Sequence, residues 1–143
     1  MTQPQPEALS VVIEREIAYP PEKIWRALTQ SEMIAEWLMK NDFQPEVGRH
    51  FRLSGDWGGV DCEVLSLDPH QSLSYTWNHP NSDPAFDLRS VVTFTLTPTD
   101  NGTHLRVEQV GFGPEQKQAF HGARAGWTQH LANLEKAVVR AEG

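Results

Sequence analysis

Between residues 48 and 112, apolar and polar side chains alternate in short runs, and this pattern limits the possible folds more than any other feature of the chain. The alternating runs cover residues 48–53, 60–67, 72–78, 88–97 and 103–112. Alternation with a period of two predicts strands that bury one face of a sheet. The runs are separated by turn-rich segments at residues 55–59, 68–71, 79–87 and 100–102. Because these connections are short, we expect antiparallel neighbours, and Asn101-Gly102 is typical of a tight hairpin.

A helical pattern follows the last of these strands. Gly113-Pro114-Glu115 predicts its start, with the glycine as cap and the proline in the first turn, and the pattern continues to about Arg140. The apolar stripe of this helix has spacings of three or four residues and consists of Phe120, Ala123, Trp127, Leu131, Leu134 and Val138. The opposite face carries the polar residues Gln116, Lys117, Gln118, Arg124, Gln129, Lys136 and Arg140. A helix with one apolar stripe is expected to cover the apolar face of the sheet.

The first part of the chain predicts one strand and two short helices. Residues 1–9 are polar and proline-containing, which is typical of a flexible tail, and residues 10–143 are expected to form a single domain. Residues 10–18 predict a strand, and Pro21 suits the first turn of a helix. The spacing of Thr29 and Glu32 matches a capping box at the start of a second helix.

The inward-facing positions of the predicted sheet are rich in aromatic rings. Tyr75 and Trp77 share one parity of their strand, and Gln109 is a polar residue at an inward position, where it needs a partner or a ligand. Gly122 and Gly126 of the helix suggest either a close approach to the sheet or room for a guest. Two interpretations stay open: the rings fill a solid core, or the sheet and helix enclose an apolar cavity.

Charge and cysteine content exclude several classes of partner. The net charge is -7, which disfavours nucleic acid and anionic membrane surfaces as partners. No segment approaches the apolar length of a membrane span, and the first residues do not match a signal peptide. A single cysteine, Cys62, rules out an internal disulfide and is typical of a reducing compartment, so we expect a cytoplasmic protein.

Recognisable catalytic and metal-binding motifs are absent from the sequence. The histidines do not form HxxxH or HExxH, and His121 and His130 are nine residues apart, on opposite sides of a helix. Cys62 has no CxxC partner or adjacent basic residue, which favours a buried structural thiol. We find no nucleotide-binding fingerprint or nucleophile elbow. We therefore expect no metal, no cofactor and no catalytic residues.

The order of the elements and several short motifs resemble the START-like (SRPBCC, helix-grip) superfamily, and within it the homologues of the activator of the 90-kDa heat-shock-protein ATPase. The matching segments are IEREI (13–17), PEKIWRALT (21–29), AEWL (35–38), VLSLDP (64–69), LSYTW (73–77), GTHLRV (102–107), GF (111–112) and GW (126–127). The resemblance covers about residues 10–140. It implies an α+β fold in the order β-α-α-β6-α, in which a curved, six- or seven-stranded antiparallel sheet wraps around a long C-terminal helix and leaves a hydrophobic cavity beneath it. Many relatives have a histidine where this chain has Gln109, so no catalytic role is carried over to that strand.

The leading functional hypothesis is non-catalytic binding of a small, mostly apolar molecule in this cavity. Tyr75 and Gln109 would supply orienting hydrogen bonds, and the expected ligand-binding residues are Trp37, Phe51, Cys62, Tyr75, Trp77, Phe94, Gln109, Trp127 and Leu131. A cyclase- or hydrolase-like enzyme is the first alternative, and it would need Asp61, His50 or Arg89 on the inner face. A module that binds a chaperone or regulatory protein is the second alternative, which an exposed apolar patch would favour.

Overall fold

The computed structural model describes residues 9–55 and 58–142. Its elements are β1 (Leu9–Ile17), α1 (Pro21–Thr29), α2 (Ser31–Trp37), β2 (Lys40–Asn41), β3 (His50–Gly55), β4 (Gly58–Asp68), β5 (Ser72–His79), β6 (Leu88–Thr99), β7 (Gly102–Phe112) and α3 (Lys117–Glu142). Of the tail predicted over residues 1–9, only Leu9 is described, and β1 begins there. Residues 56–57, in the middle of the turn predicted at 55–59, also lie outside the described residues. None of the described helices combines the length and apolarity needed to cross a membrane.

The strands form one antiparallel sheet, which the long helix α3 covers. Along the sheet the order is β1-β7-β6-β5-β4-β3-β2, so the first strand of the chain pairs with the last. This arrangement confirms the predicted helix-grip α+β fold. The alternation of side chains is also as predicted: Val92, Phe94 and Leu96 of β6 are buried on the side that faces α3. The two-residue strand β2, which pairs with β3, is too short for the sequence pattern to indicate.

The hairpin between β6 and β7 forms where the sequence predicts it, but the role of Gly102 differs from the expectation. Thr99 pairs with Gly102, so the two turn residues are Asp100 and Asn101. Gly102 itself has an extended backbone (φ 159°). A Cβ atom on this glycine would collide with the carbonyl oxygen of Ile17 on β1. Gly102 is therefore suited to a close approach between strands, and not to a turn.

The predicted capping box at the start of α2 is wrong. Thr29 is the last residue of α1, and its hydroxyl donates a hydrogen bond of 2.7 Å to the carbonyl oxygen of Trp25. The extended residue before α2 is Gln30, whose side chain makes no capping hydrogen bond. A capping side chain needs an extended backbone at its own position, and Thr29 is still helical.

Helix α3 begins at Lys117, four residues later than the glycine expected to cap it. Residues 113–116 form a turn, in which the backbone N–H of Gly113 donates to Oε1 of Gln116 at 2.8 Å. The Gln116 side chain, predicted on the solvent face, is only 5% exposed. The Gln116 side chain thus accepts a hydrogen bond from the turn, and its backbone carbonyl accepts one from the N–H of Phe120 at the start of the helix.

Within the described residues, three ion pairs join α3 to other parts of the fold. Arg15 of β1 contacts Glu135 at 2.7 Å, Lys23 of α1 contacts Glu142 at 2.7 Å, and Arg140 contacts Glu36 of α2 at 3.0 Å. All three involve the C-terminal half of α3, where the apolar side chains of Leu131, Leu134 and Val138 are fully buried. The buried residues of α3 begin at Trp127, and a pocket with a mostly apolar lining lies beside the N-terminal half of the helix.

Candidate functional site

A pocket of about 580 Å³ lies between the N-terminal half of α3, the end of α2 and the inner face of the sheet. Its size falls within the range of typical small-molecule sites, about 300–1,000 Å³. Helix α3 contributes Ala119, Gly122, Ala123, Gly126, Trp127 and His130; the strands and the chain after α2 contribute Trp77, Leu88, Gln109, Phe112, Leu38 and Met39. The lining is predominantly apolar, with Gln109 and His130 as polar exceptions.

Two glycines of α3 line this space. An ideal Cβ on Gly122 would have no atom within 4 Å, and one on Gly126 would meet only the His130 ring, at 3.8 Å from Nε2. Neither glycine is therefore required for close packing against the sheet. Of the two explanations that the sequence leaves open for these glycines, the geometry favours room for a guest.

The inward-facing Gln109 is part of a buried chain of hydrogen bonds. Its Oε1 accepts a hydrogen bond of 2.7 Å from Nε1 of Trp127, and its Nε2 donates to Oγ of Ser90 at 2.9 Å. The Ser90 hydroxyl in turn donates to the backbone carbonyl of Trp77 at 2.6 Å. Gln109 thus has the partners that an inward polar side chain needs, and it fixes Trp127 at the wall of the pocket.

His130 lies at the end of the pocket nearest α2. Its ring stands edge-on to the Trp127 ring, with 5.5 Å between their centroids. Burial lowers the pKa of His130 below its usual value of 6.5, and the backbone of Trp37 opposes this shift only in part. The Nδ1 atom is buried and makes no hydrogen bond of standard geometry. His130 therefore places a titratable group at one end of the pocket.

The expected ligand-binding residues divide into two groups. Trp77, Gln109 and Trp127 line the pocket. The other six are buried in the adjoining core and do not line it: Trp37, Phe51, Cys62, Tyr75, Phe94 and Leu131. Tyr75, which was expected to orient a ligand, instead packs edge-on against Phe51 at 5.0 Å between ring centroids.

Burial also controls the chemistry of Cys62 and Tyr75. Burial and, to a smaller extent, the charge of Asp61 raise the pKa of the Cys62 thiol to about 12. Burial likewise holds the pKa of Tyr75 well above 10. Both groups stay protonated at neutral pH, so neither provides a nucleophile or a base.

The acid–base residues that an enzyme was expected to need are on the outside of the sheet. Asp61 pairs with Arg52, and both side chains are more than half exposed. The side chains of His50 and Arg89 are 81% and 72% exposed. Among the described residues, no group of three or more His, Cys, Asp or Glu side chains is arranged to hold a metal ion. Of the acid–base groups in the described part of the chain, His130 is the one that lines the pocket.

Two residues that shape the site, His130 and Gln116, are not among those expected from the sequence. His130 is four residues after Gly126, a spacing that places both on one side of a helix and could have indicated its position. Gln116 donates from Nε2 to the carbonyl oxygens of Pro84 (3.0 Å) and Asp87 (2.8 Å). These bonds attach the β5–β6 loop to the start of α3, beside the pocket residue Leu88.

Comparisons with known proteins agree with this architecture. The family described as Activator of Hsp90 ATPase homolog 1-like protein matches residues 18–139. No curated protein matches the chain.

Three solved structures illustrate the similarity. Protein MLL2253 from Mesorhizobium loti is 61% identical, with a TM-score of 0.91, over 92% of this chain and 98% of that one. Protein BH1534 from Bacillus halodurans is 28% identical, with a TM-score of 0.77, over 92% and 99% of the two chains. The Aha1 dimer from Colwellia psychrerythraea shares the fold, with a TM-score of 0.78 over 91% of this chain and 96% of that one. Its sequence is 21% identical. The chain belongs to the family of Activator of Hsp90 ATPase homolog 1-like proteins, within the START-like superfamily.

Proposed function

We propose that this protein binds a small, mostly apolar molecule in the pocket beneath α3 and releases it chemically unchanged. The observation that carries the proposal is the open space over Gly122 and Gly126, in a pocket of about 580 Å³. A glycine inside a helix costs about 1 kcal/mol relative to alanine. Two such residues that have no packing role are better explained by the space that they leave for a ligand.

An apolar ligand also fits the character of the walls. The rings of Trp77 and Trp127 lie 5.3 Å apart and face the pocket together with Phe112. Displacement of water from these surfaces would provide the main driving force for binding. Gln109 is already bonded within the protein, so in this proposal it supports the wall and is not the main recognition group. We also place the protein in the cytoplasm, since a single cysteine suits a reducing compartment.

The test uses naphthalene as an apolar probe and a variant that fills the pocket. Naphthalene should change the tryptophan fluorescence of the wild-type protein with saturation and raise its Tm, since Trp77 and Trp127 line the site. Gly126→Leu should abolish both effects while the protein stays folded. The control is Ala125→Leu, which adds the same side chain at an exposed position outside the lining. Equal responses from both variants would contradict the proposal.

An enzyme acting in the same pocket is the alternative, because His130 places an acid–base group in contact with any bound molecule. Native mass spectrometry of the freshly purified protein separates the two functions. A carrier should release one co-purifying molecule, with the same mass before and after prolonged incubation. A molecule that is converted during incubation would favour the enzyme.

A further inference from the structure

We propose that His130 selects the ligand, and that the natural ligand is an uncharged, mostly apolar molecule with a hydroxyl group directed at this imidazole. This inference rests on the proposed binding function and adds the chemical class of the ligand. Its basis is the imidazole of His130, which lines the pocket with its Nε2 and Cδ2 edge above Gly126 and whose buried Nδ1 atom makes no hydrogen bond of standard geometry. Buried polar atoms without a partner are rare in folded proteins, and each one needs an explanation.

The polar groups of Gln109 and Trp127 are already paired with one another. The indole N–H of Trp127 donates to Gln109, and the amide of Gln109 donates to Ser90. Apart from Trp77, the remaining lining residues have apolar side chains or none. Among the described residues that line the pocket, a ligand can thus contact the indole N–H of Trp77, which only donates, and the imidazole of His130, which can also accept a hydrogen bond.

A hydroxyl matches the imidazole in either tautomer. A neutral imidazole has one nitrogen that donates and one that accepts a hydrogen bond. A ligand carbonyl pairs only with the donating nitrogen, whereas a hydroxyl can donate to one or accept from the other. The hydroxyl is therefore the smallest group that can satisfy His130 whichever nitrogen carries the proton.

Charged ligands do not suit this environment. The described lining contains no lysine, arginine, aspartate or glutamate to act as a counterion. Burial keeps His130 neutral at neutral pH, so it would not balance a carboxylate either. A charged group moved into the pocket would lose its hydration without compensation.

The position of His130 also gives the orientation of the ligand. Ala119 and His130 are at opposite ends of the pocket along α3, about 16 Å apart at 1.5 Å per residue. The Nε2 and Cδ2 edge of the imidazole lies above Gly126, which has no side chain to cover it. The hydroxyl would therefore lie near α2, and the apolar body would extend along Gly122 towards the β5–β6 loop.

The test compares 2-naphthol with naphthalene, two probes that differ only in the hydroxyl. The quantity measured is the ratio of their affinities by calorimetry at pH 7, in the wild type and in His130→Phe. The ratio cancels the difference in hydrophobicity between the probes. The loss of one hydrogen bond to a buried hydroxyl should lower the naphthol-to-naphthalene ratio about tenfold in His130→Phe. His130→Gln keeps a hydrogen-bonding side chain and should restore part of the naphthol-to-naphthalene ratio. As a test of charge, 2-naphthoate should bind the wild-type protein at least tenfold more weakly than 2-naphthol.

Each outcome decides between the two proposals. An unchanged ratio in His130→Phe, or tighter binding of 2-naphthoate, overturns the hydroxyl inference and leaves apolar binding intact. A failure of both neutral probes to bind the wild-type protein overturns the proposed function. Should His130→Phe not fold, the ¹⁵N shifts of the His130 ring in the wild type decide: 2-naphthol should move them, and naphthalene should move them much less.

Discussion

The indole Nε1 of Trp127 donates a hydrogen bond of 2.7 Å to Oε1 of Gln109, and this bond joins α3 to β7 across the buried side of the sheet. Both residues are 2% exposed. A polar side chain at this position is expected to be costly to replace, since its removal leaves buried partners unsatisfied. The pair therefore contributes both to the stability of the fold and to the shape of the pocket wall.

Gln109→Met should lower the free energy of unfolding by about 1–3 kcal/mol, because it leaves the Trp127 N–H without an acceptor. Trp127→Ala should cost about 3–5 kcal/mol, since this ring is almost completely buried. In a double-mutant cycle of Gln109→Met with Trp127→Phe, measured by urea unfolding, we expect a coupling of about 0.5–3 kcal/mol. Gln129→Met, at an exposed position of α3, is the control. A coupling near zero would contradict the importance of this hydrogen bond.

Much of the fold could be predicted because it depends on local patterns. The alternation along β6 determines which side chains face α3, and this is a property of each strand on its own.

The start of α3 was predicted less well. Gln116 is polar and precedes a helix, so its sequence context suggests a solvent-facing residue. Its burial depends on the carbonyl oxygens of Pro84 and Asp87, about 30 residues away in the chain, and local patterns carry no information on such partners.

The site could be predicted only in part, for a related reason. Strand parity shows that Tyr75 and Trp77 both face inward, but it does not show how far along α3 the empty space lies. Trp77 is at the open end of the sheet, whereas Tyr75 is among the rings that fill the core. His130 faces the pocket because the end of α2, near Leu38, stands opposite it. The spacing of His130 from Gly126 indicates its side of α3, but the position of α2 opposite this side follows from tertiary packing.

Gly122→Ala should stabilise the protein by about 0.5–1 kcal/mol. A Cβ at this position meets no atom within 4 Å, so the substitution gains helix propensity without a steric cost. The gain is measured as an increase in the urea midpoint at constant m-value. Gly102→Ala is the contrasting variant, and it should destabilise the protein because the new Cβ would collide with the carbonyl oxygen of Ile17. A loss of stability in Gly122→Ala would indicate a packing role for this glycine.

Cys62 should be unreactive in the folded protein. Its thiol is 3% exposed, and its pKa of about 12 leaves almost no thiolate at pH 8. A disulfide reagent such as DTNB should therefore modify it only in denaturant, or at the rate at which the protein unfolds. Rapid modification under native conditions would show that the strands around Cys62 open locally.

His104 should stabilise the fold below neutral pH. Its Nδ1 contacts Glu16, and its Nε2 contacts Glu14 at 2.8 Å. These hydrogen bonds raise the pKa of the imidazole above 6.5, and the bond with Glu16 has the larger effect. Because the pKa is higher in the folded state, the contribution of His104 to the free energy of unfolding is complete below its pKa in the unfolded chain, about 6.5. This contribution is lost as the pH rises through the pKa of His104 in the folded protein. Since the site is on the surface, the effect should be small and reduced by salt. His104→Gln should remove this part of the dependence of Tm on pH.

His130 should have the opposite effect on stability. Burial lowers its pKa in the folded state, so the unfolded chain takes up a proton first as the pH falls, and stability should decrease below about pH 6.5. Burial causes the downward shift, the Trp37 backbone opposes it, and no charged side chain contributes to it. A bound apolar molecule should exclude further water from the ring and lower this pKa again, so the affinity for naphthalene should also fall in acid. NMR titration of the ring with and without naphthalene measures both values. His130→Phe should abolish the dependence of naphthalene affinity on acid pH and reduce the dependence of Tm on acid pH. In the wild-type protein, a His130 pKa that rises when naphthalene binds would contradict the placement of this ring at the ligand.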